Sequence, residues 1–379
     1  MSQRLNGPSV LALLGRDRSG PDLWRVMQPI SALERRGYWC GWDFKDNGQI
    51  GAIAPSFDGY VLPRISWPAD HRKVAEDWFR LVRASGKFVV YEADDDVFTE
   101  REIQRRVELD WTDGKSLEDL ESERQERVWA MQQCDGVTVS TQRLATIVRQ
   151  FTDKPVIVVP NAIDLRWFRA VVLGSKRQIP GLTVGWAGGR RHDRDVEAMA
   201  EAWGRIARRF PDVTFVVQGH RPEVITELVP SERIAYLPWL PPETYPVGIR
   251  QVDIGCCAVA DTPFNRAKSP IKAMEYAAAG AAVVASPTLY AGLVDHGASG
   301  MIANDAGEWE DALGLLIENQ SQRQMMARRL LRAVEKHHSL EGNLWRWPAA
   351  WSTIQESARE RLVLFGRPGG AVPRGLLRA

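Results

Sequence analysis

The sequence lacks the long apolar segments and the charge imbalance that mark membrane-bound or nucleic-acid-binding proteins. No apolar run approaches the roughly 20 residues that a membrane-spanning helix needs, and the first residues show no charged-then-apolar signal pattern. The formal net charge of the 379 residues is +1, so no global field favours nucleic acid or an anionic membrane. We therefore expect a cytoplasmic protein without a transmembrane segment.

Cysteine is scarce, and the most easily recognised nucleotide-binding and catalytic patterns are missing. The four cysteines have no metal-ligand spacing with nearby histidines, so we expect neither a zinc site nor disulfides. Neither a P-loop nor a complete Gly-x-Gly-x-x-Gly is present. No Ser/His/Asp or Cys/His set stands out in the sequence either. A ligand-binding or catalytic site must therefore be inferred from the order of the strands, helices and loops, and not from one of these motifs.

What the sequence does contain is a repeated alternation of short apolar segments with segments of helical periodicity. This alternation predicts parallel sheets covered by helices on both faces, in two Rossmann-like domains. We expect an N-terminal domain over 1–173, a C-terminal domain over 174–339, and a last helix with a loose tail over 340–379. Residues 23–36 predict a helix interrupted at Pro29. Tryptophans on amphipathic segments, such as Trp78 and Trp203, indicate core packing rather than stacking on a ligand.

The loop at 188–195 is one candidate ligand site, because ligands of open parallel sheets bind beyond the carboxyl ends of the strands. Gly188 and Gly189 let the backbone approach a ligand, and the helix start that follows favours an anion. Arg190 and Arg191 offer charge-assisted bonds to a diphosphate, and His192 lies beside them. An ordinary tight turn with exposed arginines fits the same residues, so both interpretations stay open.

The stretch at 265–285 is the most informative part of the chain. A polar loop at 261–269, which contains Asn265, Lys268 and Ser269, leads into an Ala-rich helix that carries Lys272 and Glu275. The cationic turn and the first helical amides suit a phosphate, and the lone carboxylate suits a sugar diol. Lys272 and Glu275 share a helix face, for which a surface salt bridge is the plainer interpretation.

The acidic run Asp94, Asp95 and Asp96 follows a strand-like segment in the first half of the chain. Three interpretations stay open: a substrate-binding edge, a group that caps a helix, and a divalent-metal site of the Asp-x-Asp kind. The sequence has no second acidic group at motif spacing. We place the substrate role first and expect no metal.

These residues resemble the retaining GT-B glycosyltransferases of family 4, in a branch found in bacteria and their phages. Three segments carry the resemblance, at 158–164 with Phe168, at 184–188, and at 275–280 with 283–286. The resemblance implies two Rossmann-like domains that face each other across a cleft, with the C-terminal helix crossing back to the N-domain. It implies transfer of a sugar from a nucleoside-diphosphate sugar with retention at the anomeric carbon, without an obligatory cofactor, in the cytoplasm of a bacterial cell or a phage-infected host.

Carried over by position, Glu275 matches the second glutamate of the family's Glu-x7-Glu motif, which holds the ribose hydroxyls. The first glutamate is replaced by Lys268, and this departure fits a subgroup pattern that also includes Asn265, Ser269 and Lys272. A lysine there suits the neutralisation of the diphosphate leaving group. The remaining expected donor contacts come from Gly20, at the end of the loop at 15–20, and from the loop at 188–195. Asp94, Asp95 and Asp96 become candidates for acceptor orientation or acid–base support.

Two other functions stay open on the sequence. A non-catalytic nucleotide-sugar-binding module with this fold would explain the missing first glutamate, and a metal-dependent transferase would use Asp94, Asp95 and Asp96. The acceptor also stays open, and the resemblance allows a glycan, a protein or modified (hydroxymethylated) DNA.

Overall fold

A computed structural model of the chain describes residues 7–14, 20–44, 56–67, 69–110, 112–189, 192 and 194–365. The chain divides into two compact units. The first comprises Met1–Val107, Thr112–Asn161 and Asn343–Ala379, and the second comprises Glu108–Trp111 and Ala162–Gly342. The functional division into 1–173, 174–339 and 340–379 stays a prediction.

The strands are short and mostly apolar, as expected for parallel strands that helices cover on both faces. In chain order they are β1 Val10–Leu14, β2 Cys40–Phe44, β3 Gly59–Pro63, β4 Phe88–Ala93, β5 Gly136–Val139, β6 Val156–Val158, β7 Thr183–Gly188, β8 Thr214–Gly219, β9 Ile234–Leu237, β10 Ile254–Cys257, β11 Ala282–Ala285 and β12 Met301–Ile302.

Helices connect most of these strands. In chain order they are α1 Gly20–Asp22, α2 Gln28–Glu34, α3 Arg72–Ala84, α4 Glu100–Glu108, α5 Leu117–Gln133, α6 Gln142–Val148, α7 Leu165–Gly174, α8 Glu197–Arg209, α9 Glu223–Leu228, α10 Tyr245–Ile249, α11 Ile271–Ala279, α12 Pro287–Tyr290, α13 Ala306–Glu318, α14 Gln320–His337, α15 Leu340–Asn343 and α16 Arg346–Phe365. None of the helices in the described ranges is long and apolar enough to cross a membrane.

The first unit is built on a parallel six-stranded sheet with the order β2-β1-β3-β4-β5-β6. A buried ion pair lies at the carboxyl end of β4, where Arg25 Nε is 2.7 Å from Glu92 Oε1. Arg25 also donates to the carbonyl of Val159 and to Asn161 Oδ1, at 2.5 and 2.8 Å. Burial raises the pKa of Glu92, and the charge of Arg25 opposes this shift. The pair therefore ties the first helical segment to the ends of β4 and β6.

The prediction that the first helix is interrupted at Pro29 is wrong. The chain is helical from Gly20 to Glu34, and Leu23–Met27 forms a π-helical turn just before α2. The amide of Gln28 donates to the carbonyl of Leu23, five residues earlier. Proline has no amide hydrogen and its ring crowds the preceding turn, so a wider turn lets the helix continue where an ordinary α-turn would clash.

The C-terminal helical segment begins at Leu340, as the sequence predicts, but it is not one continuous helix. It divides into α15 and α16, with Leu344 and Trp345 between them. Pro348 explains the new start, because proline is tolerated only in the first turn of a helix. Helix α16 contacts β4 and β5 of the first unit and buries Trp351 and Ile354 there. The expected return of this helix to the N-terminal sheet is confirmed.

The second unit is built on another parallel six-stranded sheet, with the order β12-β11-β10-β7-β8-β9. Its core includes Trp203, Phe215 and Trp309, all almost completely buried. The rings of Trp203 and Phe215 have centroids 4.9 Å apart. Cys256 and Cys257 lie in β10 as buried free thiols, as expected from their apolar surroundings.

The packing of α16 on β5 can be tested at Gly136. A Cβ atom there would lie 2.6 Å from Ile354 Cγ1, so we expect Gly136→Ala to lower the free energy of unfolding by about 1–3 kcal/mol in urea denaturation. In an Ile354→Ala background the same change should cost much less. Gly174→Ala is the control, because a Cβ there meets no atom within 4 Å. Equal effects at the two glycines would contradict the packing.

Candidate nucleotide-binding site

The strand order of the second unit identifies one edge of its sheet as the place for a ligand. Strands β7, β8 and β9 run outward in one direction, and β10, β11 and β12 run outward in the other, so the order reverses between β7 and β10. In Rossmann sheets this switch point opens a crevice beyond the carboxyl ends of the strands. Strand β7 ends at Gly188 and β10 ends at Cys257. The two candidate loops of the sequence, 188–195 and 261–269, therefore follow the two central strands.

Glycines shape the floor of this crevice. Gly219 ends β8 with a φ of +95°, and a Cβ atom there would lie 2.5 Å from the carbonyl oxygen of Gly188. The amide of His220 donates to the same carbonyl at 2.9 Å. The ends of β7 and β8 are thereby held together without side chains, which leaves the backbone of Gly188 and Gly189 open to a ligand.

Glu275 lies in α11 and is only 1% exposed, so its carboxylate depends on partners within the protein. Tyr245 Oη donates to Glu275 Oε2 at 2.9 Å, and Lys272 Nζ lies 3.0 Å from the same oxygen. Lys272 Nζ also donates to Tyr245 Oη at 2.6 Å. Burial, reinforced by the charge of Glu275, raises the pKa of Tyr245 well above its ordinary value, so the phenol keeps its proton.

Helix α11 begins without a side-chain cap. Its N-cap residue is Pro270, which contributes no capping hydrogen bond, and Ser269 lies one residue earlier. The first amides of α11 therefore receive no side-chain cap from Pro270. At its other end, Gly280 closes the helix in the left-handed conformation, with a φ of +84°.

Asp195 is the second buried carboxylate of the site, with a side chain 7% exposed. Its Oδ2 is 2.6 Å from His192 Nδ1, and its Oδ1 accepts from the amide of Ala260 at 2.9 Å and from Asn265 Nδ2 at 2.7 Å. Burial works to raise the pKa of Asp195, but the hydrogen bonds and the charges of His192 and Lys268 together lower it. The carboxylate is therefore ionised at neutral pH.

These residues surround a pocket of about 180 Å³. The residues that line it are Gly188, Gly189, His192, Gln218, Gly219, Trp239, Leu240, Tyr245 and Lys272. Four of the predicted donor-binding residues thus meet at one place, and Glu275 lies behind two of the lining side chains. A larger groove of about 940 Å³ lies beside β12 and contains none of the predicted site residues.

Trp239 and Tyr245 are the site residues that the sequence did not reveal. Trp239 follows β9 and is 69% exposed, and a Cβ atom at Gly189 would lie 3.7 Å from its ring. The only sequence signal was a tryptophan outside any amphipathic pattern, in the Pro-rich segment at 238–242. Tyr245 opens α10, whose sequence gives no hint of contact with Glu275, 30 positions away.

The other predicted residues lie elsewhere. Gly20 begins α1, and the acidic run lies after β4, both in the first unit. Asp96 is fully buried and accepts hydrogen bonds from Thr99 Oγ1 and from the Thr99 amide, at 2.6 and 3.1 Å. Asp94 lies 3.3 Å from Arg64 Nε. These contacts favour a capping role for Asp96.

Arg190 and Arg191 lie outside the described residues. Among the residues that the structure describes, no group of three His, Cys, Asp or Glu side chains is arranged to hold a metal ion.

The cluster of Glu275, Lys272 and Tyr245 can be tested by changing its cation. Lys272→Met leaves the carboxylate without its charged partner, and we expect the free energy of unfolding to fall by about 1–3 kcal/mol. Lys272→Arg should lose less, because the charge is kept. Adding Glu275→Gln to Lys272→Met should restore part of the loss in urea denaturation at pH 7. A double variant no more stable than Lys272→Met would contradict the pairing.

Comparisons with known proteins agree with this architecture. Residues 181–319 match the family described as Glycosyl transferases group 1. No curated protein matches the sequence. Among solved structures, Anabaena HepE in complex with UDP-glucose has a TM-score of 0.59 and 14% sequence identity, over 94% of this chain and 100% of that one.

Two further solved structures are similar in fold. Sucrose-phosphate synthase from Thermosynechococcus elongatus has a TM-score of 0.58 and 12% identity, over 92% of this chain and 100% of that one. The pneumococcal O-GlcNAc transferase GtfA, in complex with UDP and GlcNAc, has a TM-score of 0.53 and 11% identity, over 79% of this chain and 56% of that one.

At these identities the structural likeness concerns the fold, and the predicted fold class of two Rossmann-like α/β domains is confirmed. The family match covers the switch point of the second unit and most of the residues that line its pocket. Residues 181–319 are thus similar to the glycosyl transferases group 1 family.

Proposed function

We propose that this protein is a retaining glycosyltransferase that moves a sugar from a nucleoside-diphosphate sugar to an acceptor hydroxyl. The observation that carries the proposal is the pocket at the switch point between β7 and β10, inside the domain that matches the glycosyl transferases. It combines an open glycine turn, a lysine, a histidine and an exposed tryptophan. Each of these suits a different part of a nucleotide sugar.

The chemistry requires that the bond between the anomeric carbon and the diphosphate breaks while the acceptor oxygen bonds to that carbon. The acceptor proton is lost, and negative charge develops on the leaving diphosphate. Cationic side chains and helix N-termini stabilise such charge without a metal. We assign this task to Lys272, Lys268 and the first amides of α11, and we expect no obligatory cofactor.

We assign the nucleoside to the part of the pocket next to Lys272 and Trp239. The carboxylate of Glu275, held by Lys272 and Tyr245, is the proposed partner of the ribose hydroxyls. The exposed ring of Trp239 offers a face on which a base can stack. UDP is the first nucleotide to try, because the structures of HepE and GtfA contain it.

For the acceptor we propose a glycan, a protein or modified DNA. The resemblance to a bacterial and phage branch supports action in the cytoplasm of a bacterial cell or an infected host. Asp94 and Asp95, which lie beside Arg64, stay candidates for acceptor orientation.

A second candidate is a non-catalytic nucleotide-sugar-binding module. Lys268, at the position of the family's first glutamate, favours it, because a catalytic contact to the donor sugar is then missing. The two candidates share the pocket and differ only in turnover.

Donor hydrolysis separates these candidates. We expect release of the nucleoside diphosphate from one of UDP-, GDP- or ADP-glucose, unchanged by a chelator, with initial retention of the anomeric configuration by NMR. Binding without turnover for every donor would favour the module, and loss of turnover with chelator would favour a metal-dependent enzyme.

The assignment of the ribose is tested by Glu275→Ala. Loss of the buried carboxylate should weaken nucleotide binding about 10-fold or more in calorimetry. Glu232→Ala, at an exposed glutamate of the same unit, is the matched control. Equal affinity in the two variants would show that Glu275 is not part of the donor site.

The assignment of the base is tested by Trp239→Ala. Loss of a stacking surface should weaken binding of the nucleotide and of its nucleoside alike, by about 10-fold. Trp39→Ala removes a tryptophan that is similarly exposed, in the first unit, and should leave both affinities unchanged. A variant that binds the nucleoside as the wild type does would exclude stacking on Trp239.

A further inference from the structure

Gln218 brings a buried, unpaired oxygen to the pocket of the second unit. It lies near the carboxyl end of β8, is 3% exposed, and lines the pocket together with Trp239 and Tyr245. Its Oε1 accepts no hydrogen bond within the described part of the chain, and no other described residue of the pocket lining has a buried side-chain oxygen or nitrogen without a partner. A buried carbonyl without a donor is costly, so a donor carried by a ligand would satisfy it.

Helix α10 holds the amide group of Gln218 in one orientation. The Nε2 atom donates to the backbone carbonyl of Tyr245 at 3.2 Å. Gly248 lies against the amide, because a Cβ atom there would be 2.4 Å from Gln218 Oε1 and 2.5 Å from Nε2. An exchange of the oxygen and the nitrogen would place two acceptors against each other at Tyr245. The group of Gln218 that still lacks a partner is therefore its oxygen.

A fixed acceptor selects a ligand group that carries a hydrogen. The base is the part of the proposed ligand assigned to Trp239, and Trp239 and Gln218 line the same pocket. The ring nitrogens N3 of uracil and N1 of guanine carry a hydrogen, whereas N3 of cytosine and N1 of adenine present a lone pair. Because Nε2 is engaged by Tyr245, the two-bond pairing of a glutamine with adenine is disfavoured. A lone pair opposite Oε1 would leave two acceptors unpaired, which a buried site rejects.

We propose that Gln218 is a specificity-determining residue of the donor site, whose Oε1 accepts a hydrogen bond from the ring N–H of uracil or guanine. The inference rests on the proposed function and names the class of nucleotide that the same site takes. Nucleotides of cytosine and adenine are bound less tightly, because their ring nitrogen has no hydrogen to donate.

The test is calorimetry of the whole chain with four probes, UDP, CDP, GDP and ADP. UDP and CDP share a one-ring base, GDP and ADP share a two-ring base, and only the first member of each pair has the ring N–H. We expect UDP to bind about 10-fold or more tightly than CDP, and GDP to exceed ADP by a similar factor. The pair that binds more tightly distinguishes uracil from guanine, and if only one pair binds, that pair decides.

Two variants separate recognition from folding. Gln218→Met removes the acceptor and keeps a side chain of similar length, so both affinity ratios should fall toward one. The midpoint of urea denaturation should change little, because the lost oxygen was unpaired. Gln251→Met is the matched control, because Gln251 is also 3% exposed but its Oε1 accepts from the amide of Gln178 at 2.7 Å. It should lower the midpoint and leave the affinity ratios unchanged.

The outcomes distinguish this inference from the proposed function. Equal or tighter binding of CDP and ADP in the wild type would overturn the role of Gln218 and leave the donor site intact. So would ratios that persist in Gln218→Met, or a loss of affinity that is the same for all four probes. Absence of binding for every probe would overturn both the inference and the donor site. The four probes are compared on the wild type, so the result stands even if Gln218→Met does not fold.

Discussion

The candidate site depends on the donors and cations that compensate two carboxylates, Glu275 and Asp195, for their lost hydration. A buried carboxylate has lost its water and must find donors or cations within the protein. Glu275 finds them in Lys272 and Tyr245, and Asp195 finds them in His192 and in the loop after β10. Each carboxylate therefore fixes the positions of side chains that line the pocket. The two networks therefore limit the movement of the side chains that line the pocket. Lys272 adds positive charge there, which suits an anion.

The sheet determines where these networks lie. The strand order reverses between β7 and β10, so the chain leaves the sheet in opposite directions on the two sides of the crevice. At Gly219 the backbone of Gly188 approaches so closely that a side chain would not fit, and at Gly188 a side chain would meet the ring of Trp186. The same connectivity brings β9 to the edge of the sheet, and Trp239 follows that strand directly. Backbone, a lysine and an aromatic ring thus line one pocket within the second unit.

The neighbouring acidic residues at the end of β4 in the first unit make different contacts. Glu92 is paired with Arg25, and Asp96 stabilises the turn before α4 through Thr99. Their neighbour Asp94 lies beside Arg64. A run of carboxylates at a strand end is therefore divided among structural contacts, and its sequence alone does not show which of its members remains available for a substrate.

The sequence by itself determined the alternation of strands and helices, the two parallel sheets and the placement of loops 188–195 and 261–269 at strand ends. Apolar runs and turn glycines are local signals, and they report local structure well. The edge strands β2 and β9 were not predicted from the sequence, because half-exposed strands lack a continuous apolar run.

Only the tertiary structure decided which distant residues meet. Tyr245 reaches Glu275 across 30 positions, and Asn265 reaches Asp195 across 70. Such contacts depend on strand order and register, which no local pattern encodes. The sequence therefore predicted Glu275 and Lys272 as site residues, whereas their contact with Tyr245 and the pocket beside them followed from the fold.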